Sequence, residues 1–318
     1  MTYNSDQKVE TVGYLAQWRS LRFYSYKYNS EPFKIANWNW HMLLLRVKNT
    51  TDISTTIKLY PARSIDFNSP IASFKIRVLE SVGKHGKVLA KSESKDKLIT
   101  IDDAFTWTFD VSLADYDTRS FCVELEFLDL KTSNPNNKRK RSTTTLDRML
   151  TESIHTDTTI NLVSSEKSIR VHRDVLATRS PVFDSMFTHD FKENNTSVIN
   201  ISDMSIEVCQ AFINYLYDNI EDEELEIYSL DLLAAAEKYG VNDLKKECEK
   251  CLQEDINIKN ILVKLQTAYF YRLPNLKISC TRYLVQFGKI HEIWDDFDAF
   301  IKTLDKDTIC ELFHEVIL

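Results

Sequence analysis

Six cysteines, seven histidines and 47 carboxylates give this 318-residue chain material for chemistry, and their spacing decides whether any of it is assembled. Cys248-x-x-Cys251 is the one CxxC pair. A structural zinc site wants four ligands, usually two such pairs or a cysteine pair with two histidines. No second pair exists, and these two thiols fall one turn apart on a helical stretch, so they read as half-buried helix thiols. His291-Glu292 and His314-Glu315 do not extend to HExxH, and no GxSxG occurs. The five glycines (Gly13, Gly83, Gly86, Gly240 and Gly288) write neither GxGxxG nor a phosphate-cradling loop. The acidic run Glu221-Asp222-Glu223-Glu224 reads as a solvated loop or a helix start. The expectation is a chain with no catalytic residues, no metal site and no cofactor, which acts by binding.

Composition narrows what it binds. An apolar fraction of 43% allows full cores, and the length suits two or three domains. No run of about 18 apolar residues suggests a membrane helix. The N-terminus lacks the apolar core of a signal peptide, so an intracellular protein with reduced thiols is expected. The net charge of −7 is uneven. Residues 1–130 carry 17 basic and 16 acidic groups, residues 131–141 five basic and no acidic groups, and residues 142–318 carry 18 basic and 31 acidic groups. An acidic C-terminal half repels phosphates, which argues against nucleic acid as a partner. The basic stretch 131–141 reads as a linker, and its Lys138-Arg139-Lys140-Arg141 run is either a nuclear localisation signal or plain solvated charge, leaving nucleus and cytoplasm both open.

Residues 8–130 show short alternating runs at Met42–Val47, Thr56–Tyr60, Ala72–Leu79, Val88–Lys91, Thr106–Val111 and Phe121–Leu128, parted by polar turns. This spacing predicts an antiparallel β-sandwich. Residues 142–254 mix strands (Thr158–Val163, Ser168–His172, Val198–Ile201) with helices, as α+β domains do. Ser180-Pro181 is a helix-start signal, and Phe183, Met186 and Phe187 form an apolar face behind it. Residues 255–318 read as helical throughout. An amphipathic stripe of Leu146, Met149, Leu150 and Ile154 marks a helix over Thr143–Ile154.

The stretch from Val171 to Phe187, VHRDVLATRSPVFDSMF, resembles the BTB/POZ signature almost continuously, and Leu232–Tyr239 extends the match. Trp18, the block Pro32–His41, Phe74–Val78 and Val123–Leu130 resemble the MATH (TRAF-like) domain that precedes BTB in relatives of the speckle-type POZ protein. The WNWH block and the closing VELEFLDL look most like plant BTB/POZ cullin-3 adaptors. The last helices resemble the 3-box and BACK region.

The resemblance implies a multidomain chain: a MATH-like sandwich over 8–130, the linker 131–141, BTB over 142–254 and a 3-box/BACK-like extension over 255–318. It further implies that the Leu146/Met149/Leu150/Ile154 stripe packs across a homodimer axis, and that His172 is structural. Phe191-Lys192-Glu193 matches the φ-x-E pattern of cullin-3 docking, with Phe191 and Glu193 as contacts and Met186 beside them. Tyr60, Phe74, Trp107 and Phe109 are candidates for a substrate groove, although sandwich interiors consume most aromatics. The function expected is a substrate adaptor of a cullin-3 RING ubiquitin ligase; a BTB scaffold or transcriptional co-regulator without a cullin is the alternative.

Overall fold

A computed structural model describes residues 8–22, 26–48, 52–62, 69–80, 87–112, 120–132, 145–163, 167–188 and 197–317. The chain divides into two compact units. One comprises residues 1–138, 254–266 and 277–318; the other comprises residues 139–253 and 267–276.

Among its described residues the first unit has ten strands: β1 (Val9–Val12), β2 (Leu15–Arg22), β3 (Lys27–Asn29), β4 (Phe33–Ile35), β5 (Trp38–Lys48), β6 (Asp52–Pro61), β7 (Pro70–Glu80), β8 (Val88–Leu98), β9 (Phe105–Ser112) and β10 (Ser120–Thr132). They form one sheet in the order β1-β2-β10-β7-β8 and another in the order β3-β5-β6-β9, with β4 paired to β5. All pairings are antiparallel. Strand alternation supplies the core. In β7, Ala72, Phe74, Ile76 and Val78 point inward. Directly opposite on β10, Val123, Leu125 and Phe127 face the same way. The second sheet answers with Trp40, Met42, Leu44, Ile57 and Leu59.

The second unit holds α1 (Thr145–Thr151), the hairpin β11 (Thr158–Leu162) and β12 (Lys167–Val171), α2 (Arg173–Arg179), α3 (Pro181–Thr188) and β13 (Val198–Ile201). Next come α4 (Ile206–Leu216), α5 (Asp222–Tyr239) and α6 (Asn242–Glu254). β13 pairs parallel to β11, completing a three-stranded sheet. The acidic run proves to be a helix start: Glu221 and Glu224 form a capping box, and carboxylates in the first turn suit the positive end of the helix dipole. Among the described residues the chain continues with α7 (Ile261–Phe270) and α8 (Pro274–Thr281) and then, within the first unit, α9 (Trp294–Ile301) and α10 (Lys306–Ile317). The expected helix over Leu273–Phe287 widens into a π turn at Arg282–Gln286, and a 3₁₀ turn (Lys289–Ile293) precedes α9. No helix among the described residues is long and apolar enough to cross a membrane.

Candidate interaction surfaces

The strand-to-helix junction at His172 is a closed hydrogen-bond circuit. Tyr217 Oη accepts from the His172 backbone N–H at 2.8 Å and lies 2.8 Å from His172 Nδ1. His172 Nε2 lies 2.6 Å from the carbonyl oxygen of Ile154. A carbonyl only accepts, so Nε2 carries the proton and Nδ1 accepts from the tyrosine hydroxyl. Burial pushes the Tyr217 phenol up to about 12, which keeps that hydroxyl a donor. His172 is thus spent on structure. Because its side chain turns inward, it does not cap α2; Asp157 Oδ1 accepts from the Arg173 N–H instead, at 2.8 Å. One step later Ser180 Oγ accepts from the Phe183 N–H at 3.2 Å and donates to the Tyr239 carbonyl at 2.6 Å. Phe183 stacks on Tyr239 with ring centres 4.6 Å apart, which fixes α3 against α5.

The stripe on α1 is divided. Leu150 is buried within its own unit, whereas Leu146, Met149 and Ile154 are half-buried. Met186, on the outer side of α3, is half-buried too. Phe191 and Glu193 lie outside the described residues, as does the basic run Lys138–Arg141.

The four aromatic groove candidates do not share one surface. Phe74 is fully buried between the sheets, so it is a core residue and leaves the groove assignment. It packs edge-on against Phe105 at 4.8 Å. Tyr60 is on the outer face of its sheet, opposite His41, with the rings stacked at 5.5 Å. Trp107 and Phe109 lie opposite Ile57 and Thr55 and therefore face inward. Yet β9 is an edge strand, so both rings remain half-exposed, 4.6 Å apart. Periodicity identified these strands but not which of their faces was covered.

Four of the six thiols are sequestered. Burial raises Cys122 to about 12, Cys280 to about 12 and Cys209 to about 11, and it raises Cys248 further still. A thiol held protonated is a poor nucleophile and a poor metal ligand. Among the described residues no three His, Cys, Asp or Glu side chains converge to hold a metal ion. An open depression of about 420 Å³ is lined in part by Lys245, Glu249 and Arg272. Its carboxylate is already committed: Glu249 accepts from the Asn275 and Leu276 N–H groups at 2.9 and 3.1 Å, capping the first turn of α8.

Comparison with known proteins identifies the family. Residues 146–256 match the BTB/POZ domain family model. Two BTB/POZ domain-containing proteins of Arabidopsis thaliana are 46% and 38% identical to the chain, over 99% and 98% of it and 98% of each relative. TD and POZ domain-containing protein 4 of Mus musculus is 28% identical over 70% of this chain and 58% of its own length. The chain therefore belongs to the BTB/POZ domain-containing proteins, with a MATH-like domain at its N-terminus.

Proposed function

We propose that this protein is a homodimeric substrate adaptor of a cullin-3 RING ubiquitin ligase. The observation that carries the reading is the signature stretch, which folds as β12, α2 and α3 and runs on into Phe191-Lys192-Glu193. In this reading Phe191 enters an apolar pocket of the cullin, Glu193 orients against the scaffold and Met186 extends the contact. The half-buried Leu146, Met149 and Ile154 meet their counterparts across a two-fold axis.

The adaptor contributes proximity. One domain holds a substrate while another holds the ligase, which raises the effective concentration of the ubiquitin donor near substrate lysines. Trp107 and Phe109 are the substrate contacts we favour, since adjacent half-exposed rings at a sheet edge offer both a β-pairing partner and apolar pockets. Affinity purification of the full chain from native cells, scored for cullin-3, tests the reading. Recovery of other partners with no cullin would favour a scaffold or transcriptional co-regulator instead.

A further inference from the structure

The outer face of a sandwich sheet usually meets water, and its residues read as polar. Here part of that face, across β2, β10 and β7, is polar but dry. Gln17, Glu124 and Arg77 sit directly opposite one another across β2, β10 and β7, on the side away from the core. Gln17 is 4% exposed, Glu124 3% and Glu126 8%. Buried carboxylates demand partners, and the C-terminal part of the same compact unit supplies them. Lys289, itself 1% exposed, places Nζ 3.0 Å from Glu124 Oε1 and 3.1 Å from Glu292 Oε1. Arg77 bonds Glu124 through Nε at 2.8 Å and Glu292 through Nη2 at 2.8 Å. Glu126 stands 4.0 Å from both cations. Gln17 donates to Glu124 at 2.6 Å and to the Phe287 carbonyl at 3.2 Å, while Arg19 donates to the Gln286 carbonyl and lies over the Phe287 ring at 5.3 Å.

Backbone features fit this closure. The π turn at Arg282–Gln286 is capped by Phe287, and Gly288, whose φ of +71° suits glycine, opens the 3₁₀ turn that carries Lys289. A separate contact brings a second returning segment to the same unit. Tyr14 N–H donates to the Ile256 carbonyl at 3.2 Å, and a Cβ on Gly13 would meet that oxygen at 2.2 Å.

We infer that residues 282–293 are an intramolecular strap that closes the polar β2-β10-β7 patch on the outer face of the sheet, with Lys289 as its lock. The N-terminal sandwich is then a domain completed by a segment from the C-terminal part of its own chain. Three carboxylates against two cations make the lysine hard to replace: without it Glu124, Glu126 and Glu292 share one guanidinium.

Native-state hydrogen exchange on the full chain tests the inference. In Lys289→Met, exchange across 282–293 should rise by about tenfold or more, while β11, α4 and α5 keep their protection. Arg19→Ala removes a half-exposed contact, so it should fold normally and raise exchange in the same segment by a smaller factor. Unchanged exchange over 282–293 in Lys289→Met overturns the strap. If Lys289→Met fails to fold, Arg19→Ala decides: a rise confined to 282–293 supports the strap and no rise overturns it. A rise spread evenly over the whole chain in Lys289→Met, with Arg19→Ala silent, also overturns it, since Lys289 would then act on global stability alone.

Discussion

The ring of His172 donates through Nε2 to the carbonyl oxygen of Ile154, 2.6 Å away. The junction between β12 and α2 thereby holds the end of the segment carrying the α1 stripe. Leu150 is buried within the unit, so a charge there would damage the fold, whereas Leu146 and Met149 are half-exposed and available to a second copy. Leu146→Glu with Met149→Glu should convert the protein from a species of twice the 37.1 kDa chain mass to one of the chain mass. Burial of such side chains stabilises by about 1.5–3 kcal/mol each, so two charges suffice to separate micromolar dimers. Light scattering reads the outcome; a wild-type monomer at micromolar concentration would contradict the dimer.

Tyr217 serves the same junction from α4's end. Tyr217→Phe removes one hydroxyl but strands two groups, the His172 N–H and Nδ1. Leaving a buried polar group unsatisfied costs about 1–3 kcal/mol. The melting temperature should fall by several degrees with little change in dimer mass. A melting curve that overlays wild type would show that water replaces the hydroxyl at no cost.

The raised thiols give a chemical prediction. A cysteine whose ionisation sits at about 11 is deprotonated in only about one molecule in a thousand at pH 8. Cys310 is exposed on α10, and Cys251 is half-buried. Iodoacetamide on the native protein should therefore label Cys310 fastest, with Cys122, Cys209, Cys248 and Cys280 reacting only after unfolding. Mass mapping of labelled peptides checks this. Rapid modification of Cys248 would reopen the CxxC pair as a reactive site.

The strap has a pH signature. Burial alone would raise the Glu292 carboxyl, but Lys289 and Arg77 outweigh it and hold the group below the usual carboxylate range. A depressed folded-state value means that Glu292 stabilises above the unfolded carboxylate range, and that this contribution fades as pH falls through the lower folded value. Wild type should exceed Glu292→Gln in stability at pH 7, and the difference should shrink progressively once pH falls below the unfolded carboxylate value of about 4. Urea unfolding at the two pH values measures it. A gap that persists or widens in acid would contradict the assignment of Glu292 to these cations.

Legibility in the sequence followed how many faces an element has covered. The BTB half was readable because seventeen consecutive residues carry its signature and the apolar stripes of its helices are clean. In β10 the alternation of VELEFL placed Val123, Leu125 and Phe127 inward, until a register shift between Phe127 and Asp129 leaves Leu128 47% exposed. β2 was harder: Leu15, Ala16, Gln17 and Trp18 are all buried, because the core covers one face and residues 286–289 meet the other, so no alternation survives. Lys289 and Glu292 look like surface residues in sequence, and nothing local announces that a sheet 165 residues earlier receives them. Phe74 shows the converse limit, since an aromatic on a strand reads the same whether it faces a groove or a core.

Cullin-3 docking through Phe191 and Glu193 is tested by titrating the full chain against a cullin-3 N-terminal fragment. Truncating an anchoring aromatic commonly costs about 2 kcal/mol or more, roughly thirtyfold in affinity. We predict saturable binding by wild type, a loss of at least that order in Phe191→Ala, a smaller loss in Glu193→Ala and little change in Lys192→Ala, all with wild-type melting curves. Absence of binding by the wild-type dimer, or undiminished affinity in Phe191→Ala, would contradict the account.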